Sequence, residues 1–501
     1  MTALAVPPPL PAPRPALARY GPLAQTFALI LMIFGLSLAL PAAISHLLGD
    51  GAESAYDETL AVTFACGALL WLAARGHRGE LQVRDGFLLV ALAWTVLPAF
   101  ATLPLMLVLP ELSFTDAYFE TVSGLTTTGA SVLSNLDQLP PSINVWRTQL
   151  VWMGGMGVMV LAVAILPLLG VGGAQIFRAE TPGPMKDAKL TPRITETAKG
   201  LWGVYFGLTF LCIAAMKLAG MTWLDALAHA FSTMGLGGFS SHDASFGYWD
   251  SPAIEAVTIA FMLAASLNFA THFLALRRRS WRPYARDPEA GLVVLAMLGS
   301  AVLIALYLWW SAVYPGFWTA LRFAAFNVVS VASTTGFANT DFALWPMFAP
   351  LWMLYLSGFA TSSGSTGGGM KMIRVVVLAK HSLREFTRIV HPRAAVPLKV
   401  GRQVIENNLI FAVLAFTLVY GLTMIMLSLA LIATGLDFVT AFSAVTACIN
   451  NMGPGLGQVG PATTYAVLTG VQTWVCTAAM LLGRLELFTL LVVFTPAFWR
   501  K

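Results

Sequence analysis

Long apolar segments recur along the whole chain and are separated by shorter polar connections. A helix that crosses a bilayer needs about 20 apolar residues. Segments of roughly that length or more lie near residues 23–48, 57–74, 87–109, 143–171, 201–221, 253–276, 291–314, 346–380, 408–433 and 463–496. Several exceed a single crossing, which leaves room for a tilt or a break. The pattern predicts an all-α polytopic membrane protein with ten transmembrane helices.

Composition supports lipid as the solvent for most of the chain. Hydrophobic residues make up 57% of it and charged residues only 11%, whereas a soluble domain carries roughly 25% charged residues. The four cysteines lie inside apolar stretches without CxxC spacing, which favours membrane-core packing over a disulfide or metal site. Residues 1–22, rich in Pro and Ala, lack the apolar core of a signal peptide and are predicted to form a disordered cytosolic tail.

The distribution of charge predicts the orientation. Basic residues cluster on alternate connections: Arg14, Arg19, Arg75, Arg78, Arg84, Arg178, Lys186, Lys189, Arg193, Lys199, Arg277, Arg278, Arg279, Arg282, Arg286, Arg384, Arg388, Arg393, Lys399, Arg402, Arg500 and Lys501. The opposite connections are acidic, and only Arg147, Lys217 and Arg322 are basic there. Because basic loops stay in the cytosol, both termini are predicted to be cytosolic. The net charge of +5 is the sum of these loops and does not indicate nucleic-acid binding.

Four of the acidic connections contain the same short pattern. They begin at Asp116, Asp225, Phe323 and Thr440, and a glycine follows thirteen residues later in each, at Gly129, Gly238, Gly336 and Gly453. Each predicts a half-helix of roughly twelve residues followed by an extended glycine turn, between two spans. Asp or Thr at the first position of three repeats is a favourable N-cap. Irregular backbone at this depth needs protein or a water-filled cavity around it, so the four repeats are predicted to surround one pore in pseudo-fourfold arrangement.

The glycine turns have the features of a cation filter. A glycine lets the strand turn its carbonyls inward at little steric cost, and inward carbonyls replace the hydration shell of a cation. The half-helices also direct the negative ends of their dipoles towards mid-membrane. Thr and Gly are common helix-packing residues as well, but four such turns in register favour a filter. The predicted filter residues are Thr127, Thr128, Gly129, Leu236, Gly237, Gly238, Thr334, Thr335, Gly336, Asn451, Met452 and Gly453.

These motifs resemble the Trk/Ktr/HKT superfamily of K⁺ transporters, and specifically its TrkH-type branch. The resemblance covers the chain from about residue 23 to the end and rests on TTTGAS at 126–131, STMGLGGFSSHD at 232–243, STTGFANTDF at 333–342, GSTGGGMKMIR at 364–374, ACINNMGPGLG at 447–457 and LLGRLELFTLLVVFTP at 481–496. Two spans before the first repeat are also similar to that branch. The second and fourth repeats depart from the TTG pattern, with LGG and NMG.

The resemblance implies K⁺ uptake across the cytoplasmic (inner) membrane, and glycine at all four filter positions is similar to the K⁺-selective members. It also implies a homodimer and a cytosolic TrkA-type regulatory subunit that binds the nucleotide. This chain is expected to hold no cofactor, and its only metal ion is expected to be K⁺ at the filter carbonyls. The expected division is a tail at 1–22, two extra helices at 23–84, and pore repeats at 85–199, 200–289, 290–406 and 407–501.

The predicted eighth span is interrupted by small residues. A run from Gly364 to Gly369, comprising Gly364, Ser365, Thr366, Gly367, Gly368 and Gly369, does not hold a straight helix well. The resemblance gives it the role of an intramembrane gate; a kinked helix that packs closely on its neighbours is the alternative. A phosphate-binding loop is excluded because no Ser or Thr follows Lys371.

A single arginine lies inside the last predicted span. A charge there is costly and usually functional, and Glu486 is poorly spaced to pair with Arg484. The resemblance places Arg484 at the gate, bonded to carbonyls of the small-residue run. An arginine that extends to the inner surface is the alternative, and Lys371 has the same two interpretations.

Two other functions remain open from the sequence. The same fold could couple K⁺ to H⁺ or Na⁺ as a symporter, for which Glu486 is the nearest candidate carboxylate. A membrane-embedded enzyme such as a lipid-linked transferase would need clustered Asp, Glu and His at one face, whereas the outer acids here are spread over the loops. The histidines show no metal-ligand spacing.

Overall fold

The structure, a computed structural model, describes residues 16–76, 81–160, 194–401 and 403–500. Three helices precede the repeats: α1 (Ala16–Ser37), α2 (Ala39–Leu48) and α3 (Glu53–Ala74). Helices α1 and α3 approach closely at Gly67, where an added Cβ would lie 2.6 Å from Met32 Cγ, as is common for small residues between membrane helices. Residues 16–22, predicted to belong to a disordered tail, are helical; the prediction for residues 1–15 lies outside the described residues.

The helices that follow are described in four groups, one around each glycine turn. The first group is α4 (Val83–Val108), α5 (Phe114–Leu125) and α6 (Pro141–Val160). The second is α7 (Ile194–Leu218), α8 (Trp223–Gly235), α9 (Pro252–Ala265), α10 (Phe269–Arg278) and α11 (Arg282–Arg286). The third is α12 (Ala290–Trp310), α13 (Phe317–Ala332), α14 (Phe348–Ser357) and α15 (Met372–Val390). The fourth is α16 (Asn407–Ala433), α17 (Phe438–Asn450), α18 (Gly470–Arg484), α19 (Phe488–Leu491) and α20 (Pro496–Trp499).

A short hairpin joins the third and fourth groups. Strands β1 (Lys399–Val400) and β2 (Gln403–Val404) pair antiparallel, with Lys399 opposite Val404 and Val400 opposite Gln403. Gly401 turns the chain between them with a φ of 59°. Apart from this hairpin, the described part of the chain is helix and loop, and the predicted all-α class of membrane protein is confirmed.

The half-helices are α5, α8, α13 and α17, of 12, 13, 16 and 13 residues. Three of them begin with a side-chain cap, in which Ser113, Thr222 and Asp437 accept a hydrogen bond from the backbone N–H three residues on. The predicted caps Asp116, Asp225 and Thr440 are therefore wrong by three residues. Asp116 and Asp225 instead accept hydrogen bonds from the cap hydroxyls, both at 2.7 Å.

Several predicted spans are bent or divided. Helices α9 and α10 meet at 96°, and α18 meets the helical stretch Phe488–Phe494 at 106°; neither bend was predicted. The predicted span at 346–380 consists of α14 and α15, separated by residues 358–371, which we call the break segment. Six described helices are long and apolar enough to cross a membrane singly, or eight spans if each bent pair counts as one. The number ten stays a prediction.

Two apolar cores lie inside the bundle. One joins the second and third groups and includes Tyr205, Phe269 and Phe326. The other joins the N-terminal helices to the first and fourth groups and includes Trp146. The outward faces of α12 and α16 expose large apolar side chains such as Leu295 and Leu418. Because lipid is as apolar as these side chains, such faces are stable only in a membrane.

The cap of α17 provides a test of the half-helix assignment. Asp437→Ala removes the acceptor for the Thr440 N–H, now 3.0 Å from Asp437 Oδ2, and should lower stability by about 1 kcal/mol. Thermal unfolding of the purified protein in detergent measures the change. Gly316→Ala is the matched control, since the N-cap of α13 has no side-chain bond and an added Cβ meets nothing within 4 Å. Equal losses from both variants would contradict the assignment.

Candidate functional site

All four half-helices end in the same backbone turn. A left-handed residue follows each end by one or two positions, at Thr127, Leu236, Thr334 and Asn451, with φ of 56°, 56°, 65° and 52°. The next N–H bonds back to the carbonyl five residues earlier, in the pairs Thr128–Ser123, Gly237–Ser232, Thr335–Ser330 and Met452–Ala447, at 2.8–3.0 Å. This bond closes a Schellman turn, which satisfies carbonyls that a helix end leaves free. The identical geometry in four places shows that the repeat seen in the sequence is also a repeat of backbone conformation.

Two of these left-handed residues are threonines. A positive φ is a steric outlier for a β-branched side chain, and such strain persists only where the surroundings enforce it. Thr127 and Thr334 are fully buried, and the Thr334 hydroxyl accepts a hydrogen bond of 2.8 Å from the Gly368 N–H. Both strained threonines are therefore enclosed by the rest of the fold, and Thr334 is also hydrogen-bonded to Gly368.

Residues 127–129, 236–238, 334–336 and 451–453, which we call the glycine segments, contain all twelve predicted filter residues. Gly129, Gly336 and Gly453 have φ of 79°, 88° and 90°, a region that glycine enters without steric cost. Gly238 is different, because its φ is not positive. Its requirement for glycine is spatial, because an added Cβ would lie 2.7 Å from the Gly336 carbonyl carbon. The predicted reason, backbone angle, thus applies to three of the four.

The four glycine segments close on one another in a ring. An added Cβ on Gly129 would overlap the backbone of Gly238, and one on Gly238 would overlap that of Gly336. Gly336 abuts the Met452 carbonyl in the same way, and Gly453 abuts Thr128 and Gly129. Four segments far apart in sequence are thus in backbone contact in cyclic order.

A cavity lies beside the ring of glycines. Its volume is about 100 Å³, and all four glycines line it. The remaining lining is polar in large part and includes Ser131, Ser240, His242 and Asp243. A polar cavity of this size holds water or a hydrated ion.

The break segment lies against the C-terminal ends of the half-helices. The Thr366 hydroxyl donates to the Met234 carbonyl at 3.0 Å. An added Cβ on Gly368 would overlap the Asn450 carbonyl. The predicted gate residues 364–369 therefore contact the ends of α8 and α17 directly, and the Gly368 N–H reaches Thr334 at the end of α13.

Arg484 is buried among backbone carbonyls. It is 6% exposed, its Nη1 donates to the Thr366 carbonyl at 3.0 Å and its Nη2 to the Gly154 carbonyl at 3.0 Å. The alternative of an arginine that extends to the inner surface is wrong for this residue. Glu486 pairs instead with Arg374, at 2.6 Å, in agreement with its poor spacing from Arg484.

Lys371 lies at the other end of the break segment. It is 8% exposed, and its Nζ donates to the Gly367 carbonyl. It therefore does not extend to the surface either. Two cations, Arg484 at the end of α18 and Lys371 in the break segment itself, thus bond to adjacent carbonyls of the predicted gate.

Three residues of this region were not predicted. Glu289, directly before α12, accepts hydrogen bonds of 3.0 Å from the Ser363 and Ile373 N–H groups and so joins the break segment to the first turn of α15. It follows a basic stretch of the sequence, and no motif there singled it out. Glu120 and Arg147 form an ion pair of 2.7 Å beside the first glycine segment. Arg147 is one of three basic residues on the otherwise acidic connections. That exception is the signal in the sequence that could have identified it.

A second cluster of charged residues centres on His242, in the loop that follows the second glycine segment. His242 Nδ1 bonds to Asp137 Oδ1, its Nε2 lies 3.3 Å from Asp225 Oδ1, and its ring stacks on Tyr248 with centroids 3.6 Å apart. Burial lowers the pKa of His242, but the hydrogen bonds and charges of Asp225 and Asp137 outweigh it, so the pKa lies above its ordinary value of 6.5. His242 thus links the loop after the second glycine segment to Asp137, in the loop after the first.

Comparison with known proteins gives this geometry a family. A family model described as TrkH, cation transport protein, matches residues 53–501. The chain belongs to the TrkH family. Its members in this comparison are transporters and not enzymes, so the lipid-linked transferase considered from the sequence is wrong.

Two TrkH relatives and one solved TrkH structure cover nearly the whole chain. The Trk system potassium uptake protein TrkH of Halomonas elongata is 48% identical over 95% of this chain and 98% of its own. The protein of the same name from Escherichia coli K12 is 46% identical over 94% and 98%. The crystal structure of the potassium transporter TrkH from Vibrio parahaemolyticus superposes with a TM-score of 0.88 at 43% identity, over 96% of this chain and 100% of that one.

The raised pKa of His242 predicts a pH-dependent stability. A group whose pKa rises on folding stabilises the protein fully below its unfolded pKa and loses that contribution as the pH rises through the folded pKa. The melting temperature of the wild type should therefore exceed that of His242→Gln most at about pH 5.5 and least at about pH 8.5. Thermal unfolding in detergent across this range measures the difference. A difference that is constant with pH would show that the ion pairs of His242 contribute nothing.

Proposed function

We propose that this protein takes up K⁺ across the cytoplasmic membrane through a gated pore whose selectivity filter is the ring of glycine segments. The observation that carries the proposal is the cyclic backbone contact of Gly129, Gly238, Gly336 and Gly453 at the ends of four half-helices. The relatives named as potassium uptake proteins support the choice of ion.

The filter acts through backbone carbonyls. The hydroxyls of Thr128 and Thr335 are engaged locally, with Thr126 at 2.8 Å and Ser333 at 2.6 Å, so the side chains are occupied and the carbonyls provide the ligands. Four helix C-termini, each equivalent to about half a negative charge, add a favourable field at the same point. A partly dehydrated monovalent cation is stabilised by both.

The break segment is the proposed gate. Its residues 364–369 contact the inner ends of the half-helices, and Arg484 and Lys371 hold the adjacent carbonyls of Thr366 and Gly367. The two cations also repel an ion that leaves the filter. Opening requires these hydrogen bonds to break. The gate is therefore held closed by hydrogen bonds and not by a bulky side chain.

The assembly follows from the family. We infer ten spans, with both termini in the cytosol because basic residues lie on that side. The chain forms a homodimer and is controlled by a cytosolic TrkA-type subunit, which binds the nucleotide that this chain is expected to lack. The exposed apolar side chains of α15, Leu383, Phe386 and Ile389, supply surface for such contacts.

Uncoupled conduction is favoured over symport. Glu120, beside the first glycine segment, and Glu486, the candidate from the sequence, are both ion-paired with arginines, at 2.7 and 2.6 Å. Each of these carboxylates is already occupied by an arginine partner, whereas a symporter needs a site that a second ion can bind. The reversal potential of the reconstituted protein should follow the K⁺ gradient alone, and a dependence on the pH or Na⁺ gradient would restore the symporter.

The ring of glycines predicts the effect of a side chain in the filter. Gly129→Ser should lower the preference for K⁺ over Na⁺ by about tenfold, or about 1.4 kcal/mol, because the new Cβ overlaps the Gly238 backbone. Bi-ionic reversal potentials in planar bilayers measure the preference. Gly421→Ser is the control, since a Cβ there meets nothing within 4 Å. An unchanged preference in Gly129→Ser would remove the filter assignment.

The gate assignment predicts leakage when its cation is removed. Arg484→Ala takes away the donors to Thr366 and Gly154, and deletion of residues 367–369 removes the barrier itself. Either change should raise basal ⁸⁶Rb⁺ flux into liposomes by about tenfold, if the closed state loses about 1.4 kcal/mol. Arg388→Ala, on the exposed last turn of α15, is the control. Basal flux at the wild-type level in both altered proteins would count against a gate at this place.

A further inference from the structure

The half-helices carry a repeated polar position that the filter motif does not include. Nine residues before each glycine stand Glu120, His229, Asn327 and Ala444. In the first three repeats this side chain reaches the strand that leaves the filter. His229 Nε2 accepts from the Ser240 hydroxyl at 2.9 Å, because its Nδ1–H donates to the Asp225 carbonyl, also at 2.9 Å.

The third and fourth repeats use other groups for the same connection. Asn327 Nδ2 donates to Asn339 Oδ1 at 2.6 Å. Ala444 has no polar group, and the neighbouring Ser443 hydroxyl accepts instead from the Leu456 N–H at 2.8 Å. Each half-helix is therefore tied to the strand two or three residues beyond its glycine.

The connection in the first repeat is the only ionic one of these four. Glu120 accepts from the Val132 N–H at 2.9 Å and from the Ser131 hydroxyl at 3.0 Å. Arg147, from α6, donates its Nε to Glu120 Oε1 at 2.9 Å. Both side chains are 1% exposed, so their charges are compensated mainly by each other and by these hydrogen bonds, although Arg147 also lines the cavity beside the glycines.

Arg147 also extends the connection to the second repeat. Its Nη1 donates to the Ser240 carbonyl at 3.1 Å, and its guanidinium lies 4.4 Å from the centre of the Phe239 ring. Phe239 and Ser240 directly follow Gly238, as Ser131 closely follows Gly129. One guanidinium thus bonds to the strands that leave two neighbouring glycine segments.

A buried ion pair holds geometry more firmly than a surface pair. Its members are already desolvated, so removal of one leaves a buried charge without compensation, at a cost of about 3–5 kcal/mol. Neither group can move away without losing several charge-assisted hydrogen bonds at once. The distance between the first and second strands is therefore fixed by this pair.

We propose that Glu120 and Arg147 are positioning residues that set the spacing of the first and second glycine segments and thereby the ion selectivity. The inference rests on the proposed function, since it assumes that the glycine segments are the filter. In this proposal, a charged pair in the first repeat performs the role that neutral groups perform in the other three.

The test is bi-ionic K⁺/Na⁺ reversal potentials of the full-length protein in planar bilayers. Glu120→Gln should lower the permeability ratio of K⁺ to Na⁺ by about tenfold, as for a coupling of about 1.4 kcal/mol. Glu120→Asp keeps the charge with a shorter reach and should restore part of the ratio. Arg147→Lys cannot bond to Glu120 and Ser240 with one planar group and should lower the ratio as well, which provides a second variant if Glu120→Gln does not fold.

Glu255→Gln is the matched control. Glu255 is 4% exposed and pairs with Arg322 at 2.8 Å, and the other ionic partner of Arg322 is Asp250, not a filter strand. This variant should lose thermal stability like Glu120→Gln but keep the wild-type permeability ratio. A wild-type ratio in both Glu120→Gln and Arg147→Lys would overturn the positioning role. A wild type that does not discriminate K⁺ from Na⁺ would instead overturn the proposed function.

Discussion

The close approach of four backbone segments is the constraint on which the rest of the structure depends. At Gly129, Gly238, Gly336 and Gly453 there is no room for a Cβ on any segment. Carbonyl oxygens can replace a hydration shell only at such short separations. Backbone this close and irregular is not stable in lipid, because its polar groups need partners. The surrounding helices supply those partners and exclude the lipid.

Each half-helix solves this problem in the same way. All four end in a Schellman turn and three begin with a side-chain cap, and these contacts satisfy free backbone groups of a short helix. The turn then directs the chain into the glycine segment. The ties from Glu120, His229, Asn327 and Ser443 hold the strand beyond it. The repeated backbone geometry is thus produced by different side chains, which explains why the repeat is weak in sequence outside the glycines.

The proposed gate depends on the same helix ends. The break segment bonds to the ends of α8 and α13 and touches that of α17, and Arg484, Lys371 and Glu289 hold it from three sides. A run of small residues fits there because larger side chains would overlap the neighbouring carbonyls. Since Glu289 belongs to the connection between α11 and α12, a movement of that connection reaches the break segment at Ser363 and the first turn of α15 at Ile373 through hydrogen bonds. Glu120 and Arg147 hold the strands that follow the first two glycine segments. The break segment is therefore held by a separate set of charged residues.

Part of this could be predicted because it is local. Apolar length predicts a membrane helix, alternate basic clusters predict an orientation, and four glycines in register predict four equivalent turns. The half-helix caps were misplaced by three residues because Asp116 and Asp225 are as favourable as caps as Ser113 and Thr222, and only the backbone angles distinguish them. The bends in the sixth and tenth predicted spans were missed because the apolar sequence on both sides has the combined length of a span, although Ser266 and Asn268 lie at the first bend and Arg484 and Glu486 at the second.

By itself the sequence determined the all-helical membrane class, the four glycine turns and the small-residue run, since each depends on residues close together in the chain. Only the tertiary structure decided the cyclic order of the glycines, the burial of Arg484 on Thr366 and Gly154, and the pairing of Glu120 with Arg147. Those contacts join residues 27 to 330 positions apart. Composition and spacing say that a buried charge needs a partner, but which partner it finds is settled by how the helices pack.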